Sequence, residues 1–164
     1  MQHFPITIFV DDNLFEIHSE QEWNDFSEEY IIIHAAGGIV KDDNGNFLMI
    51  FRLNKWDFPK GKVENEESYS QTALREVYEE TNLSNLKLIR ELPNTFHTYE
   101  LDSKQILKIT HWYLMSCLQP NELIPQKEEG ISDVRWIKYS DVSNNLKKSY
   151  HSLRFLWKKS QSLL

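Results

Sequence analysis

The sequence predicts one mixed α/β domain, because strand-like and helix-like patterns alternate along a chain that is long enough to bury a core. Its 164 residues are 40% hydrophobic and 13% aromatic, which suits a single folded domain. Runs rich in β-branched and aromatic residues are separated by turn signals, and helical patterns lie between them. Strands combined with two or three helices are typical of an α/β or α+β domain.

Charge and cysteine content exclude several classes of function. The formal net charge is −7, which argues against general binding to nucleic acid or to an anionic membrane surface. A phosphorylated substrate is still compatible, since a metal ion and a few lysines supply positive charge locally. A single cysteine, Cys117, leaves no disulfide within the chain. With no membrane-length apolar run and no signal-peptide pattern in MQHFPITIFVDDN, we expect a cytoplasmic protein.

The first thirty residues are predicted to be an extension of a core domain that spans residues 31–164. Two strand-like runs flank the turn triplet Asp11-Asp12-Asn13, so residues 5–19 are expected to form a β-hairpin. A short helix should follow, with Ser19 as its N-cap. The extension has three open roles: it packs on the sheet edge, covers a pocket or mediates a homodimer.

The core begins with two strand-like runs, IIIHAAGGIV and NFLMIF, which surround an Asn-Gly turn signal. A loop carrying WDFPKGKVE is expected next. Ser68 and Gln71 then form the S-x-x-Q pattern of a capping box, which predicts a helix start. Further strands are expected at LKLIREL, QILKITHWYLMSCL and VRWIKYS, and the chain should close with a helix over about residues 150–161.

The helix after Ser68 carries three glutamates, Glu76, Glu79 and Glu80. At roughly 100° per residue they fall within one arc, beside the apolar face formed by Ala73, Leu74, Val77 and Tyr78. Charged clusters on helices are usually solvated surface. Carboxylates that border a buried face repel each other and lose hydration, however, and a hard divalent cation such as Mg²⁺ relieves both costs.

The longer stretch GKVENEESYSQTALREVYEETNL resembles the Nudix box, G-x5-E-x7-R-E-U-x-E-E-x-G-U, in which U is aliphatic. Eight positions match at the required spacing: Gly61, Glu67, Arg75, Glu76, Val77, Glu79, Glu80 and Leu83. Asn82 replaces the second glycine. Since Asn is the next best residue for a left-handed backbone, the replacement should cost some stability and leave the glutamates in place.

The resemblance implies a Nudix-type α/β/α sandwich with a mixed sheet. It also implies hydrolysis of a nucleoside diphosphate linked to another group, with Mg²⁺ or Mn²⁺ as cofactor. Glu76, Glu79 and Glu80 match the metal-binding positions, and a main-chain carbonyl at Lys60 or Gly61 commonly adds a ligand. Glu67 and Arg75 match a pair that orients the loop and the catalytic helix. On the helical wheel Arg75 lies beside Glu79 and should hydrogen-bond to it.

The general base stays open at this stage. Glu79 and Glu80 are candidates, and so are Glu128 and Glu129 in the segment PQKEEGI, where several relatives place a catalytic glutamate. The alternative for the last two is an ordinary charged loop.

Candidate substrate contacts are spread along the chain. Lys60, Lys62, Arg52 and Lys108 are candidates for phosphate binding, and Trp56 and Tyr99, with His97 and Trp112, are candidates for stacking on a base. Solvated lysines and packing aromatics are the alternatives. In ILKITHWYLM, alternation places Lys108, Thr110 and Trp112 on one face of a strand. His111 falls on the apolar face and is expected to be a core histidine, and His34 has no metal-binding partner at a familiar spacing.

Within the family, WDFPKGKVE, ILKITHWYLM and PQKEEGI look like the dinucleoside polyphosphate and diphosphoinositol polyphosphate hydrolases. Sugar-nucleotide or damaged-nucleotide cleavage stays open. The main alternative is a non-catalytic Nudix domain that binds a ligand, but such domains usually lose box glutamates, and all four are present here. We therefore expect a small phosphorylated substrate and neither nucleic-acid nor membrane partners.

Overall fold

The computed structural model describes residues 3–11 and 13–164. In this part of the chain the strands are β1 Ile6–Val10, β2 Asn13–Ile17, β3 Ile31–Asp42, β4 Asn46–Arg52, β5 Lys55–Asp57, β6 Lys60–Lys62, β7 Leu86–Leu101, β8 Lys104–Cys117 and β9 Ile131–Lys138. The helices are α1 Glu20–Ser27, α2 Tyr69–Thr81, α3 Tyr139–Leu146 and α4 His151–Ser160. Short 3₁₀ turns span Lys127–Glu129 and Gln161–Leu163.

All nine of these strands belong to one mixed sheet. The main order is β2-β1-β7-β8-β3-β4-β5, with β6 paired to β3 and β9 paired to β4. The pairs β1–β7 and β3–β8 are parallel, and the remaining pairs are antiparallel. The N-terminal hairpin therefore extends one edge of the sheet.

Helices cover both faces of the sheet, which confirms the predicted α/β/α sandwich. Because side chains alternate along a strand, Ala36 and Val40 of β3 pack with Ala73 and Val77 of α2. Ile39 faces the other way, into a second cluster under α3 and α4. The two clusters share the sheet as their common wall, so α2 is fixed relative to every strand it crosses.

The N-terminal hairpin and the helix after it form as predicted, although Asp12 of the predicted turn lies outside the described residues. Ile8 of β1 is fully buried against Phe96 and Leu107 of the neighbouring strands. Trp23 and Phe26 of α1 cover this cluster. Residues of the extension thus pack on the sheet edge and share a core with it.

Three segments of the chain differ from the sequence-based prediction. The segment WDFPKGKVE is not all loop, because it contains the three-residue strands β5 and β6. Strand β7 continues through Pro93 to Leu101, and its pairing with β8 shifts between Leu92 and Thr95, where the missing N–H of proline is tolerated. Helix α3 was missed. Its N-cap, Lys138, makes no side-chain capping bond, so the usual start signal is absent.

Candidate active site

Helix α2 begins and ends where local sequence rules place it. The Ser68 hydroxyl accepts the Gln71 N–H, and the Gln71 side chain accepts the Ser68 N–H at 2.8 Å, which confirms the capping box. The helix ends at Asn82 with φ of 59°, in the left-handed region. The Asn82 side chain also donates to the Glu122 carbonyl at 3.0 Å. With both ends fixed, the three glutamates are held on one side of the helix.

Gly61 brings the backbone of β6 against the carboxyl group of Glu76. A Cβ atom at residue 61 would stand 2.1 Å from that carboxyl carbon, so any other residue here would displace the Glu76 carboxyl group. The strand is held in place by antiparallel pairing, with Gly61 opposite Ala36 of β3. The main chain of residues 60–61, which was expected to supply a metal ligand, therefore lies directly beside the glutamates.

Arg75 joins the loop before α2 to two of these glutamates. Its Nε and Nη2 atoms donate to the two carboxyl oxygens of Glu67 at 2.8 and 2.9 Å. Its Nη1 atom donates to Glu76 at 2.7 Å and to Glu79 at 2.9 Å. Nη2 also reaches the Lys62 carbonyl at 3.1 Å. One guanidinium group thus orients both the loop and the helix, and its hydrogen bonds lower the pKa of Glu67 to about 2.

Glu80 is the most deeply buried glutamate of the box, with 2% of its surface exposed. It accepts the Lys60 main-chain N–H at 2.9 Å, and Arg52 Nη1 lies 3.7 Å from its other oxygen. Burial is the largest influence and raises the pKa of Glu80 to about 7, although nearby Lys60 opposes the shift. Burial likewise raises the pKa of Glu76. Two carboxylates are therefore held where ionisation is costly.

The residues present fit a hard divalent cation. Glu76, Glu79 and Glu80 offer carboxylate oxygens beside the backbone of Lys60 and Gly61, which is the donor type that Mg²⁺ and Mn²⁺ prefer. In the described part of the chain no three carboxylate, imidazole or thiolate groups already converge on one point. In the described residues Glu76 and Glu79 instead accept hydrogen bonds from Arg75. A cation held by these glutamates would offset the cost of burying the charge of Glu80.

The segment PQKEEGI, residues 125–131, forms the distal loop. It presents one of its two glutamates to the cluster of Glu76, Glu79 and Glu80. Glu129 lies in a 3₁₀ turn and accepts a hydrogen bond from Arg52 Nη2 at 3.2 Å. Its charge also contributes to the raised pKa of Glu76, so it faces the box. Glu128 is exposed, and no hydrogen bond or ion pair to it occurs in residues 3–11 and 13–164.

A cavity of about 560 Å³ lies next to this cluster: its lining residues Arg52 and Lys60 contact Glu80, although no box glutamate is among the residues that line it. Its walls include the cations Arg52, Lys60 and Lys108, together with Tyr99 and Trp112. Burial, followed by the charge of Lys60, lowers the pKa of Lys108 to about 8. The structure thus brings six of the candidate substrate contacts to one cavity: Arg52, Lys60, His97, Tyr99, Lys108 and Trp112.

The sequence analysis did not single out Asp57, which also lines this cavity. Its side chain is buried, accepts the Phe58 N–H at 2.7 Å and forms an ion pair with the Lys60 ammonium group. Asp57 therefore holds Lys60 at the cavity wall. An acidic residue inside the otherwise apolar run WDF is the signal that points to it.

The NUDIX domain family matches residues 33–156, which include the whole box and the strands around it. The chain belongs to the Nudix hydrolase family. It is 33% identical to an RNA pyrophosphohydrolase of Pelagibacter ubique, over 68% of this chain and 79% of that protein. It is 30% identical to MutT4 of Mycobacterium tuberculosis over 68% of this chain, and it spans about half of that longer protein, 48%.

Solved structures share the Nudix fold at lower sequence identity. The Ap4A hydrolase of Caenorhabditis elegans superposes with a TM-score of 0.62 at 22% identity, covering 80% of this chain and 96% of that one. The Escherichia coli ORF135 protein gives a TM-score of 0.59 at 19% identity, covering 83% and 93%. These similarities support the sandwich architecture.

Two predicted substrate contacts lie away from the cavity beside the Nudix box. Lys62 is exposed and borders a second, open cavity with His34 and Tyr69. Trp56 packs edge-on against Phe51, and its indole lies 5.9 Å from the Arg135 guanidinium. The fold therefore separates Lys62 and Trp56 from the six candidate contacts that line this cavity.

Two of the histidines, His34 and His111, form a pair that the sequence did not predict. His111 is only half-buried, and its Nε2 atom lies 3.1 Å from His34 Nδ1 on the neighbouring parallel strand. The Tyr69 ring stacks on His111 at 3.6 Å. The pair cannot be predicted from spacing in the sequence, because only the parallel pairing of β3 with β8 brings the two residues together.

In the part of the chain that the structure describes, no helix combines the length and the hydropathy that a membrane crossing requires.

Proposed function

We propose that this chain is a metal-dependent pyrophosphohydrolase that cleaves a diphosphate linkage in a small phosphorylated substrate. The observation that carries the proposal is the intact Nudix box, whose buried Glu80 contacts Lys60 and Arg52, two cations that line the adjoining cavity. Glu76, Glu79 and Glu80, with a carbonyl of Lys60 or Gly61, would hold Mg²⁺ or Mn²⁺. The bound metal neutralises the diphosphate and lowers the pKa of a coordinated water.

Arg75 and Glu67 position the metal ligands in this proposal. A metal ligand whose rotamer is fixed by a second residue loses less entropy when it binds. The bidentate pair between Arg75 and Glu67 fixes the guanidinium, which in turn holds Glu76 and Glu79. Both residues therefore act through the glutamates.

Glu129 is the best-placed proton acceptor for the attacking water. Arg52 lies between Glu129 and Glu80, at 3.2 and 3.7 Å, and so holds the distal loop near the metal ligands. A base must reach the proton that it removes, and Glu128 has no comparable contact in residues 3–11 and 13–164. Glu79 and Glu80 would serve mainly as metal ligands, the role that their positions in the Nudix box imply.

The phosphate groups are expected to lie among Arg52, Lys60 and Lys108. At neutral pH the Lys108 ammonium is largely protonated even with a pKa lowered to about 8. A bound phosphate would stabilise that charge, so the lysine and the phosphate favour each other's ionised forms. Tyr99, at the same cavity, is placed to pack against the group that the diphosphate carries.

The substrate class is a nucleoside diphosphate linked to a second group. Two similar proteins carry the names RNA pyrophosphohydrolase and Ap4A hydrolase, and both names support cleavage within a phosphate chain. Dinucleoside polyphosphates and diphosphoinositol polyphosphates are the two candidate branches. A ligand-binding domain without activity is less well supported, because all four box glutamates are present.

A substrate panel tests this proposal. The purified chain is incubated with Mg²⁺ and dinucleoside polyphosphates, nucleotide sugars, nucleoside triphosphates or diphosphoinositol polyphosphates, beside Glu79→Gln. We expect cleavage of at least one class, and a loss of about 100-fold or more in the variant, because a metal ligand is removed. Binding without cleavage by the wild type would favour the ligand-binding alternative. Equal turnover in the variant would contradict the metal assignment.

A further inference from the structure

The cavity extends from Arg52 and Lys60, which contact Glu80, across the sheet to the N-terminal hairpin. Phe9 of β1 lies opposite His97 of β7, and His97 lies opposite Lys108 of β8. Residues directly opposite each other on paired strands project from the same face. All three line the cavity, and so does Asp11 at the end of the hairpin strand. A segment outside the matched family region thus forms part of the wall.

The hairpin lies too far from the cations to contact the same phosphate. Neighbouring strands are about 4.8 Å apart, so Phe9 is roughly 10 Å from Lys108 across β7. Lys108 is close enough to Lys60 and Glu80 for their charges to affect its pKa, which places it at the glutamate end. With the diphosphate among these cations, the group attached to it would lie at the hairpin end of the cavity.

The two ends of the cavity differ in charge. At the glutamate end Lys60 and Asp57 form a neutral ion pair, and Arg52 and Lys108 add two positive charges. At the hairpin end, Asp11 is exposed and forms no ion pair with any other described residue. The other side chains of this end include the rings of Phe9, Tyr99 and His151. An anionic group would meet repulsion there, while an uncharged flat group would meet aromatic surface.

The hairpin is held firmly enough to select a ligand. The Phe9 ring contacts Phe155 at 5.8 Å and His151 at 6.5 Å, which ties β1 to α4. The start of α4, residues 150–153, lines the same cavity. A wall fixed by strand pairing and by ring packing discriminates between ligands better than a free loop would.

We propose that the N-terminal hairpin determines substrate specificity, with Asp11 excluding strongly anionic groups from the end of the cavity opposite the metal ligands. This inference rests on the proposed function, because it concerns the group attached to the cleaved diphosphate. It favours a dinucleoside polyphosphate over a diphosphoinositol polyphosphate, whose inositol ring carries further phosphates.

The test compares Asp11→Asn with a matched control, Asp102→Asn. Asp11 has φ of 46° and Asp102 has φ of 50°, and both are exposed. Asn tolerates this left-handed conformation, so each change removes one charge without new backbone strain. Asp102 lies in the β7–β8 turn, outside the residues that line the cavity.

The probes are diadenosine tetraphosphate and 5-diphosphoinositol pentakisphosphate. We expect the wild type to prefer the former. Asp11→Asn should lower KM for the inositol probe by about 3- to 10-fold, as removal of one nearby like charge predicts. It should leave kcat unchanged and bring no similar gain for the adenosine probe. Asp102→Asn should change neither value.

A second measurement separates this inference from the proposed function. The ligand-induced rise in Tm measures binding whether or not the chain cleaves the probe. If nothing is hydrolysed, but Asp11→Asn enlarges the rise caused by the inositol probe, the hairpin inference stands and the proposed activity fails. Wild-type preference for the inositol probe, equal effects of the two Asn variants, or no effect of Asp11→Asn would overturn the inference.

Discussion

At the residue scale, the organising group is the Arg75 guanidinium. It makes hydrogen bonds to Glu67, Glu76, Glu79 and the Lys62 carbonyl, all between 2.7 and 3.1 Å. Charge-assisted bonds of this kind are stronger than neutral ones and favour one geometry. The bond to Glu79 was predictable from helical spacing, and the pair with Glu67 from the family pattern. The environment of Glu80 was not predictable, because its partners Arg52 and Lys60 lie on strands β4 and β6 and only the fold brings them to the helix.

The Arg75–Glu67 pair has a pH dependence that can be measured. Its hydrogen bonds lower the pKa of Glu67 from 4.5 to about 2 in the folded chain. A lowered pKa stabilises the fold above the unfolded value, and this contribution disappears as the pH falls through the folded value. Glu67→Gln should therefore lower Tm at neutral pH. The difference from wild type should shrink below pH 4.5 and vanish near pH 2.

Thermal unfolding of both proteins across this pH range checks the prediction. Glu64→Gln is the matched control, because Glu64 is an exposed glutamate of the same loop. A Tm difference for Glu67→Gln that stays constant down to pH 2 would show that the carboxylate charge is not what stabilises the loop.

At the element scale, the ends of α2 depend on rules that a sequence carries. The capping box and the left-handed Asn82 were predictable because their interactions are local or conformational. Strands β5 and β6 were not, since three residues carry no clear period. Helix α3 lacks a side-chain cap and depends on tertiary packing of Val142 and Leu146.

Asn82 should be a helix stop with no part in the chemistry. Asn82→Gly relaxes the left-handed backbone and loses the side-chain bond to the Glu122 carbonyl, so stability should change by no more than about 1 kcal/mol. Turnover should be nearly unchanged. Asn82→Ala should lose about 1–2 kcal/mol of stability, because alanine disfavours this conformation.

Denaturant unfolding and turnover of the same preparations check both variants. A large loss of turnover in Asn82→Gly, with normal stability, would contradict this account. It would show that the Asn82 side chain contacts the substrate or the metal.

At the scale of the whole molecule, one sheet brings the side chains of the proposed active site together. The box contributes the glutamates, β4 contributes Arg52, β8 contributes Lys108, and the loop before β9 contributes Glu129. Sequence reasoning proposed these residues but gave no reason to prefer Lys60 over Lys62, or Glu129 over Glu128. These choices depend on how β6 pairs with β3 and on the Arg52–Glu129 contact, both of which join residues far apart in the chain.

The most direct test of the central claim is the dependence of hydrolysis on Mg²⁺ concentration in the wild type, Glu80→Gln and Glu64→Gln, with a substrate that the wild type cleaves. Removal of the metal by a chelator should abolish wild-type turnover. Glu80→Gln should reduce turnover by about 100-fold or more and require more Mg²⁺, because it removes a proposed, buried metal ligand while keeping its shape. Glu64→Gln should match the wild type. Turnover that persists without divalent metal, or a Glu80→Gln variant with wild-type rate and Mg²⁺ dependence, would contradict the account.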